Sequence, residues 1–200
     1  MSWRDRILND GTDRGSWLVA RRPVLGASDF AKLAKFESVD KYLAAKLASN
    51  TFHGNEYTEQ GHRWEPMMLA WANITPNKAL IHSPGEVGFA ATPDGADETR
   101  GAEAKAKHGR IIGGPSAMEW RQLAGQFICV PEFETIEFIW VELDGDGEIR
   151  AGRNGEPCSL TIPRNHPKIV AATAQVLPIA VELSWRLRAA LQAEKEMNAA

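Results

Sequence analysis

The spacing of the apolar residues changes near residue 79, and this change limits the folds that the chain can adopt. Up to that point apolar side chains recur every three or four residues, which is the spacing of one face of a helix. Beyond it, short stretches of strand-like composition are separated by turns. The helical patterns cover residues 29–36, 39–47, 58–73, 118–130 and 167–196, and the strand patterns cover 79–82, 87–92, 101–107 and 135–143.

The order of helices, a small sheet with one inserted helix, and a last helix predicts a single α/β or α+β domain. A chain of 200 residues is long enough to build one substantial core. A turn at 144–147 is expected to lead into a returning strand at 148–152, and Pro178 is expected to kink the last helix. The expected parts are an N-terminal arm (1–25), a helical part (26–75), a sheet core (79–152) and a C-terminal helix (167–196).

Charge and cysteine content exclude several classes of protein. A net charge of −3 counts against passive DNA coating, because such proteins are usually basic, but an enzyme needs only a local basic track. Two distant cysteines cannot supply a structural zinc site or an iron–sulfur cluster. No apolar run could span a bilayer and no secretory signal begins the chain, so we expect a cytoplasmic protein without membrane contact.

A group of acidic residues and one lysine carries the chemistry. Asp94 lies in a turn directly after a strand pattern, and Glu103 and Lys105 form a Glu-x-Lys pair that begins nine residues later. Positions i and i+2 of a strand share one face, so these two side chains project together. A hairpin would bring Asp94 beside them. Two converging carboxylates suit Mg²⁺, which can activate water, and an ammonium beside them can stabilise a phosphate transition state.

Two further residues are candidates for the same site. Glu65 stands directly before Pro66, so the third helix is expected to be distorted there or to begin again at the proline. Gln122 lies on the helix after the sheet and could hydrogen-bond water or phosphate. Each motif also has a simpler interpretation: Asp94 as an ordinary turn residue, and Glu-x-Lys as a solvated strand face.

Four blocks of the sequence, in order, resemble the YqaJ-like, lambda-exonuclease-type phage recombination nucleases of the PD-(D/E)XK superfamily. They are Arg21 to Leu33, Gly61 to Pro66, Ala91 to Gly95 with Glu103-Ala104-Lys105, and Trp120 to Val130. The resemblance implies a restriction-endonuclease-like core, with a mixed central sheet flanked by helices. It also implies an exonuclease that digests duplex DNA ends, in the 5′ to 3′ direction, during homologous recombination.

The resemblance also assigns roles to residues of this chain. Asp94, Glu103 and the backbone carbonyl of Ala104 would bind the metal, with Glu65 acting through water, and Lys105 would be the catalytic lysine. Gln122 would be the helix glutamine, although Gln126 competes for that place. The residues that would bind a 5′-phosphate are Arg21, with Arg22 as the alternative, Ser28 and Thr92.

The basic residues Lys107 and Arg110 lie beside this site and have two interpretations of equal weight: a phosphate track, or a solvated strand end. From the family we expect Mg²⁺ as cofactor, with Mn²⁺ able to replace it. Double-stranded DNA ends, a single-strand annealing protein and a homotrimer are the expected partners. An endonuclease of restriction or repair type remains an alternative, as does a non-catalytic module that binds DNA ends or protein.

Overall fold

The computed structural model describes residues 2–48, 56–109, 112–150 and 155–199, with the side chains of 56–62 excluded. Arg110, expected in the basic track, lies outside these residues. The helices are α1 (Arg14–Arg21), α2 (Ala27–Phe30), α3 (Val39–Ala48), α4 (Glu56–Trp71), α5 (Ala117–Cys129) and α6 (Pro167–Ala199). The strands are β1 (Ile7–Asn9), β2 (Leu25–Gly26), β3 (Leu80–His82), β4 (Phe89–Ala91), β5 (Gly95–Ala96), β6 (Arg100–His108), β7 (Thr135–Leu143) and β8 (Cys158–Pro163).

The first sheet has the strand order β1-β3-β4-β2. Strand β3 pairs antiparallel with both β1 and β4, and β2 runs parallel to β4, with Leu25 opposite Phe89 and Gly26 opposite Ala90. Because parallel neighbours run in the same direction, the residues that follow β2 lie beside those that follow β4. Two segments that are about sixty positions apart in sequence therefore meet at one end of this sheet.

The second sheet has the order β5-β6-β7-β8, in which β6 and β7 are parallel and the outer pairs are antiparallel. Alternate residues of β7 belong to different hydrophobic clusters: Phe138 packs in the main core, and Ile139 packs in a second cluster on the other face. Burial on both faces explains why β7 has a nearly continuous apolar sequence.

Helices cover both faces of the second sheet. Helix α4 packs through Met68 and Leu69 against Ala102 of β6, and α5 and α6 pack against each other on the opposite side with the main core. The mixed sheets flanked by helices confirm the expected fold class, although two four-stranded sheets replace the single central sheet. Within the described ranges, no helix is both long enough and apolar enough to cross a membrane.

Several local predictions were wrong. The N-terminal arm is an integrated part of the fold: it contains β1 and α1, and the indole N–H of Trp3 donates to the carbonyl of Asp97 at 2.9 Å. The helix predicted at 29–36 is the short α2, which ends before a second turn forms. The strand predicted at 148–152 is represented by one bridge between Leu143 and Ile149, and the partner of β7 is the unpredicted β8. Pro178 lies within one helical element, α6, and the kink predicted there stays a prediction.

Candidate active site

Glu103 is the most enclosed acidic group of the predicted set, with 2% of its surface exposed. Its β6 position pairs with Phe138 of β7, so its side chain faces α5 rather than α4. One carboxylate oxygen accepts from the Lys105 ammonium and the Gln122 amide, and the other accepts from the amide of Gln126. A buried carboxylate is stable only with such donors, and here they also hold it in one orientation.

Asp94 lies on the short connection between β4 of the first sheet and β5 of the second. Its Oδ2 accepts a hydrogen bond of 2.8 Å from the backbone N–H of Ala104, the residue after Glu103. The next residue must be glycine because a Cβ at Gly95 would lie 2.7 Å from Ile74 Cγ2. Because Gly95 pairs with Ala102, Asp94 lies directly beside the middle of β6.

The edge of β6 beside Asp94 supplies a further oxygen. Strand β5 pairs with β6 only up to Ala102, so the strand beyond that point has no β5 neighbour. In an extended strand the N–H and C=O of one residue point to the same side. Since the N–H of Ala104 points to Asp94, its carbonyl points to the same edge.

These donors fit a magnesium ion. Two carboxylates and one carbonyl are hard oxygen ligands, and Mg²⁺ is usually held by one or two carboxylates while it keeps several waters. Among the residues that the structure describes, no three acidic, histidine or cysteine side chains form a ligand cluster for one ion. Asp94, Glu103 and Ala104 would therefore hold the ion, and Glu65 would act from farther away.

Glu65 reaches this region from α4, on the opposite face of the second sheet. It is partly buried, and its negative charge is one of the causes that raise the pKa of Asp94. Pro66 lies inside α4, so the helix neither stops nor begins again at this point.

The protonation of Asp94 depends on the surrounding charges. Burial raises the pKa of this carboxyl well above its usual range, and Glu103 and Glu65 raise it further against the opposing effect of Lys105. Burial would lower the pKa of Lys105, but the negative charges of Glu103 and Asp94 outweigh it and raise that pKa. The site therefore holds excess negative charge that a divalent cation would neutralise.

We expect Asp94→Asn to stabilise the metal-free protein as pH rises. A raised pKa means that Asp94 contributes stability at low pH and that this contribution is lost as pH rises through the folded-state pKa. Asparagine keeps an oxygen for the Ala104 N–H but carries no charge. Thermal denaturation in EDTA should show a melting temperature roughly 2–4 °C above wild type at pH 8, and a smaller difference at pH 5. Equal melting temperatures at both pH values would contradict this electrostatic account.

The residues expected to bind a 5′-phosphate lie near one another. Arg21 donates to the hydroxyl of Ser28. Ser28 lies in α2, which begins directly after β2, and Thr92 directly follows β4, so the parallel pairing of these strands brings both hydroxyl residues to the same end of the first sheet. The Thr92 hydroxyl is buried and has no hydrogen-bond partner among the described residues. Thr92 is also two residues from Asp94, so the predicted phosphate-binding residues adjoin the acidic site.

The structure separates the two candidate arginines. Arg22 is paired with Glu194 of α6, with N–O distances of 2.7 and 2.5 Å, whereas Arg21 contacts Ser28. Arg21 rather than Arg22 therefore fits the predicted 5′-phosphate site. We call Arg21, Ser28 and Thr92 the anion pocket, after the role predicted for them.

Lys107 does not lie on an open phosphate track. Only 8% of the residue is exposed, and its ammonium is paired with Glu119, which also caps the N-terminus of α5. A buried and paired ammonium does not support the predicted phosphate contact, which stays a prediction for this residue. Its charge instead neutralises a glutamate at the end of the helix.

Gln126 is the site residue that the sequence pattern left undecided. It is completely buried and, like Gln122, donates to Glu103. Residues four apart on a helix share a face, so the Gln-x-x-x-Gln spacing could have indicated that both face β6. Both Gln122 and Gln126 contact Glu103, since each amide donates to a different carboxylate oxygen.

No protein-family model matches the chain, and no curated protein matches it in sequence. Its fold is similar to that of solved structures. An alkaline exonuclease from Laribacter hongkongensis gives a TM-score of 0.64 at 20% identity, covering 92% of this chain and 99% of that one. The same enzyme in complex with dAMP gives 0.67 at 20% identity, covering 92% and 98%.

A phage-related exonuclease from Haemophilus somnus 129PT gives a TM-score of 0.53 at 14% identity, covering 84% of this chain and 96% of that one. The chain therefore has the fold of these exonucleases over most of its length. The expected resemblance to exonucleases of the phage type is confirmed at the level of the fold.

Proposed function

We propose that this protein is a Mg²⁺-dependent exonuclease that digests duplex DNA from the 5′ end. One observation carries the proposal. Asp94 accepts a hydrogen bond from the backbone N–H of Ala104, the residue between Glu103 and Lys105, so two carboxylates and one ammonium meet at the edge of β6. Mg²⁺, when bound, would activate a water molecule and neutralise charge on the phosphate. The names of the structural neighbours support the choice of DNA as substrate.

Each residue of the site would have a separate task. Asp94, Glu103 and the carbonyl of Ala104 would hold the ion, and the amides of Gln122 and Gln126 would keep Glu103 from turning away. The Lys105 ammonium would orient the attacking water and stabilise the negative charge that develops on the scissile phosphate. Glu65 would bind through water and balance the same charge.

The anion pocket favours an enzyme that works from DNA ends. A guanidinium and two hydroxyls suit a terminal phosphate, because arginine presents several N–H donors to phosphate oxygens. The pocket follows β2 and β4, two residues from Asp94 along the chain. A 5′-phosphate held there would direct the metal site to a phosphodiester near that end, which implies 5′ to 3′ digestion.

The decisive experiment compares three DNA substrates with the purified protein and Mg²⁺. We expect digestion of linear duplex with 5′-phosphates, slower digestion of the same duplex with 5′-hydroxyls, and no cleavage of closed circular duplex. EDTA should stop the reaction, and Mn²⁺ should restore it. Cleavage of the circle would favour the endonuclease alternative, and failure to digest any substrate would favour a non-catalytic binding module.

We extend the proposal to the biological setting that the resemblance implies. The protein would act in the cytoplasm of a bacterial host during phage recombination, supplying single-stranded tails to an annealing protein. It would assemble as a homotrimer around duplex DNA. Light scattering of the purified protein and co-purification with an annealing protein expressed beside it would test these two partners.

A further inference from the structure

A buried ion pair lies next to the anion pocket. Lys46 of α3 and Asp29 of α2 are joined by a salt bridge of 2.8 Å, and their side chains are only 7% and 17% exposed. The same carboxylate oxygen of Asp29 also accepts the backbone N–H of Gly26 at 2.8 Å. Neither charged side chain is used by the nuclease mechanism, and such a pair is not in itself a strong source of stability.

The pair is in electrostatic contact with Arg21. The guanidinium of Arg21 lies 3.9 Å from the Asp29 oxygen that Lys46 binds more closely. It also donates to Ser28 and stacks over the ring of Trp17, 5.0 Å from the ring centroid. Arg21 is therefore held by contacts on several sides, but the nearest carboxylate, that of Asp29, is paired with Lys46.

The net charge of these three side chains indicates the role of Lys46. Arg21, Lys46 and Asp29 together carry one net positive charge. Without Lys46, an unpaired buried carboxylate would lie beside Arg21, and it would take the guanidinium as its own partner. Burial raises the pKa of Asp29, but the charges of Lys46 and Arg21 outweigh this and lower it, so the carboxylate remains ionised.

We propose that Lys46 neutralises Asp29 so that the guanidinium of Arg21 stays available for a terminal phosphate, which makes Lys46 and Asp29 positioning residues for phosphorylated DNA ends. This inference rests on the proposed function of the anion pocket. Neither side chain would touch the DNA, because both are largely buried and paired with each other. Their effect is on the preference for a 5′-phosphate over a 5′-hydroxyl, not on the hydrolytic step.

The test measures this preference by binding as well as by digestion. Fluorescence anisotropy in Ca²⁺ gives the affinity for labelled duplex with and without a 5′-phosphate, and kcat/KM in Mg²⁺ gives the corresponding ratio for digestion. For Lys46→Met the preference should fall by roughly 10-fold or more, the effect of losing a charge-assisted hydrogen bond. Binding of the 5′-hydroxyl duplex should change little. Arg21→Met serves as the reference for a pocket that has lost its guanidinium.

The double variant Lys46→Met with Asp29→Asn is the critical comparison. It removes both charges, so Arg21 again has no competing carboxylate, and the preference should return to within about 3-fold of wild type. Lys32→Met is the matched control: Lys32 lines the same small cavity beside Asp29, but it is exposed, and within the described part of the chain its side chain forms no ion pair with Asp29. That variant should keep the full preference.

The outcomes separate this inference from the proposed nuclease activity. If the protein hydrolyses nothing but still binds phosphorylated ends more tightly, with the loss and recovery described, the role of Lys46 stands and the nuclease proposal fails. If Lys46→Met keeps the preference, or the double variant does not recover it, the inference is overturned. Should Lys46→Met fail to fold by circular dichroism, the double variant decides, because it removes both charges of this ion pair.

Discussion

Lys105→Met is expected to lower the rate of DNA digestion by about 10²- to 10³-fold, the usual cost of removing one donor that stabilises transition-state charge. The ammonium contacts Glu103 and lies beside Asp94, where the scissile phosphate would be bound. Methionine has a similar length but no charge. Because Lys105 is not a metal ligand, calorimetry should show that the variant still binds Mn²⁺, whereas Glu103→Gln should lose both activity and metal affinity.

A control for this prediction comes from the same strand. Lys107 shares the face of Lys105, but it is paired with Glu119 at the start of α5. The double variant Lys107→Met with Glu119→Gln removes that pair without leaving a buried charge, and glutamine can still cap the helix. It should keep near-normal kcat at a temperature where the protein is folded. Full activity in Lys105→Met, or equal losses in both variants, would contradict the assigned role.

Gly125→Val is expected to destabilise the protein by about 2–3 kcal/mol, the upper part of the range for overpacking a close-packed core. A Cβ at Gly125 would lie 2.8 Å from the ring of Phe30, which is fully buried. This contact joins α5 to α2 at the residues next to Gln126 and Asp29. Substitution should therefore disturb both the acidic site and the anion pocket. Urea denaturation followed by circular dichroism measures the free energy of unfolding.

Two further variants test whether the contact with Phe30 is the cause. Gly113 has no atom within 4 Å of its Cβ position and ordinary backbone angles, so Gly113→Val should change stability little. Phe30→Leu combined with Gly125→Val should recover part of the loss, because a smaller side chain makes room for the valine. If Gly113→Val costs as much, or if the double variant is no better than Gly125→Val alone, steric conflict at this contact is not the explanation.

Local sequence patterns were sufficient for the longer elements. Strand β7 was predicted with its observed bounds because burial on both faces gives a long apolar run. Helices α3, α4 and α5 were found within a few residues of their ends because their apolar faces repeat at helical spacing. The short strands β1, β2 and β5 were missed because two or three residues carry too little pattern to be distinguished from a turn.

The acidic motif was recognisable in the sequence, but its partners were only partly so. The strand alternation that separates Glu103 and Lys105 from Ala104 follows from covalent geometry alone, and the structure places these residues accordingly. The same alternation also made Lys107 look available, since it shares that face. Only the packing of α5 buries Lys107 against Glu119 and leaves Lys105 at the site.

The sequence by itself determined which residue types can do the chemistry, the strand that carries two of them, and the helices that flank it, because these depend on neighbours within a few positions. The tertiary structure alone decided that Ser28 and Thr92 lie at the same end of one sheet, that Arg21 rather than Arg22 donates to Ser28, and that Lys46 pairs with Asp29. Such contacts arise from strand pairing and burial between segments distant along the chain. The local pattern of side chains does not indicate which of these segments pair.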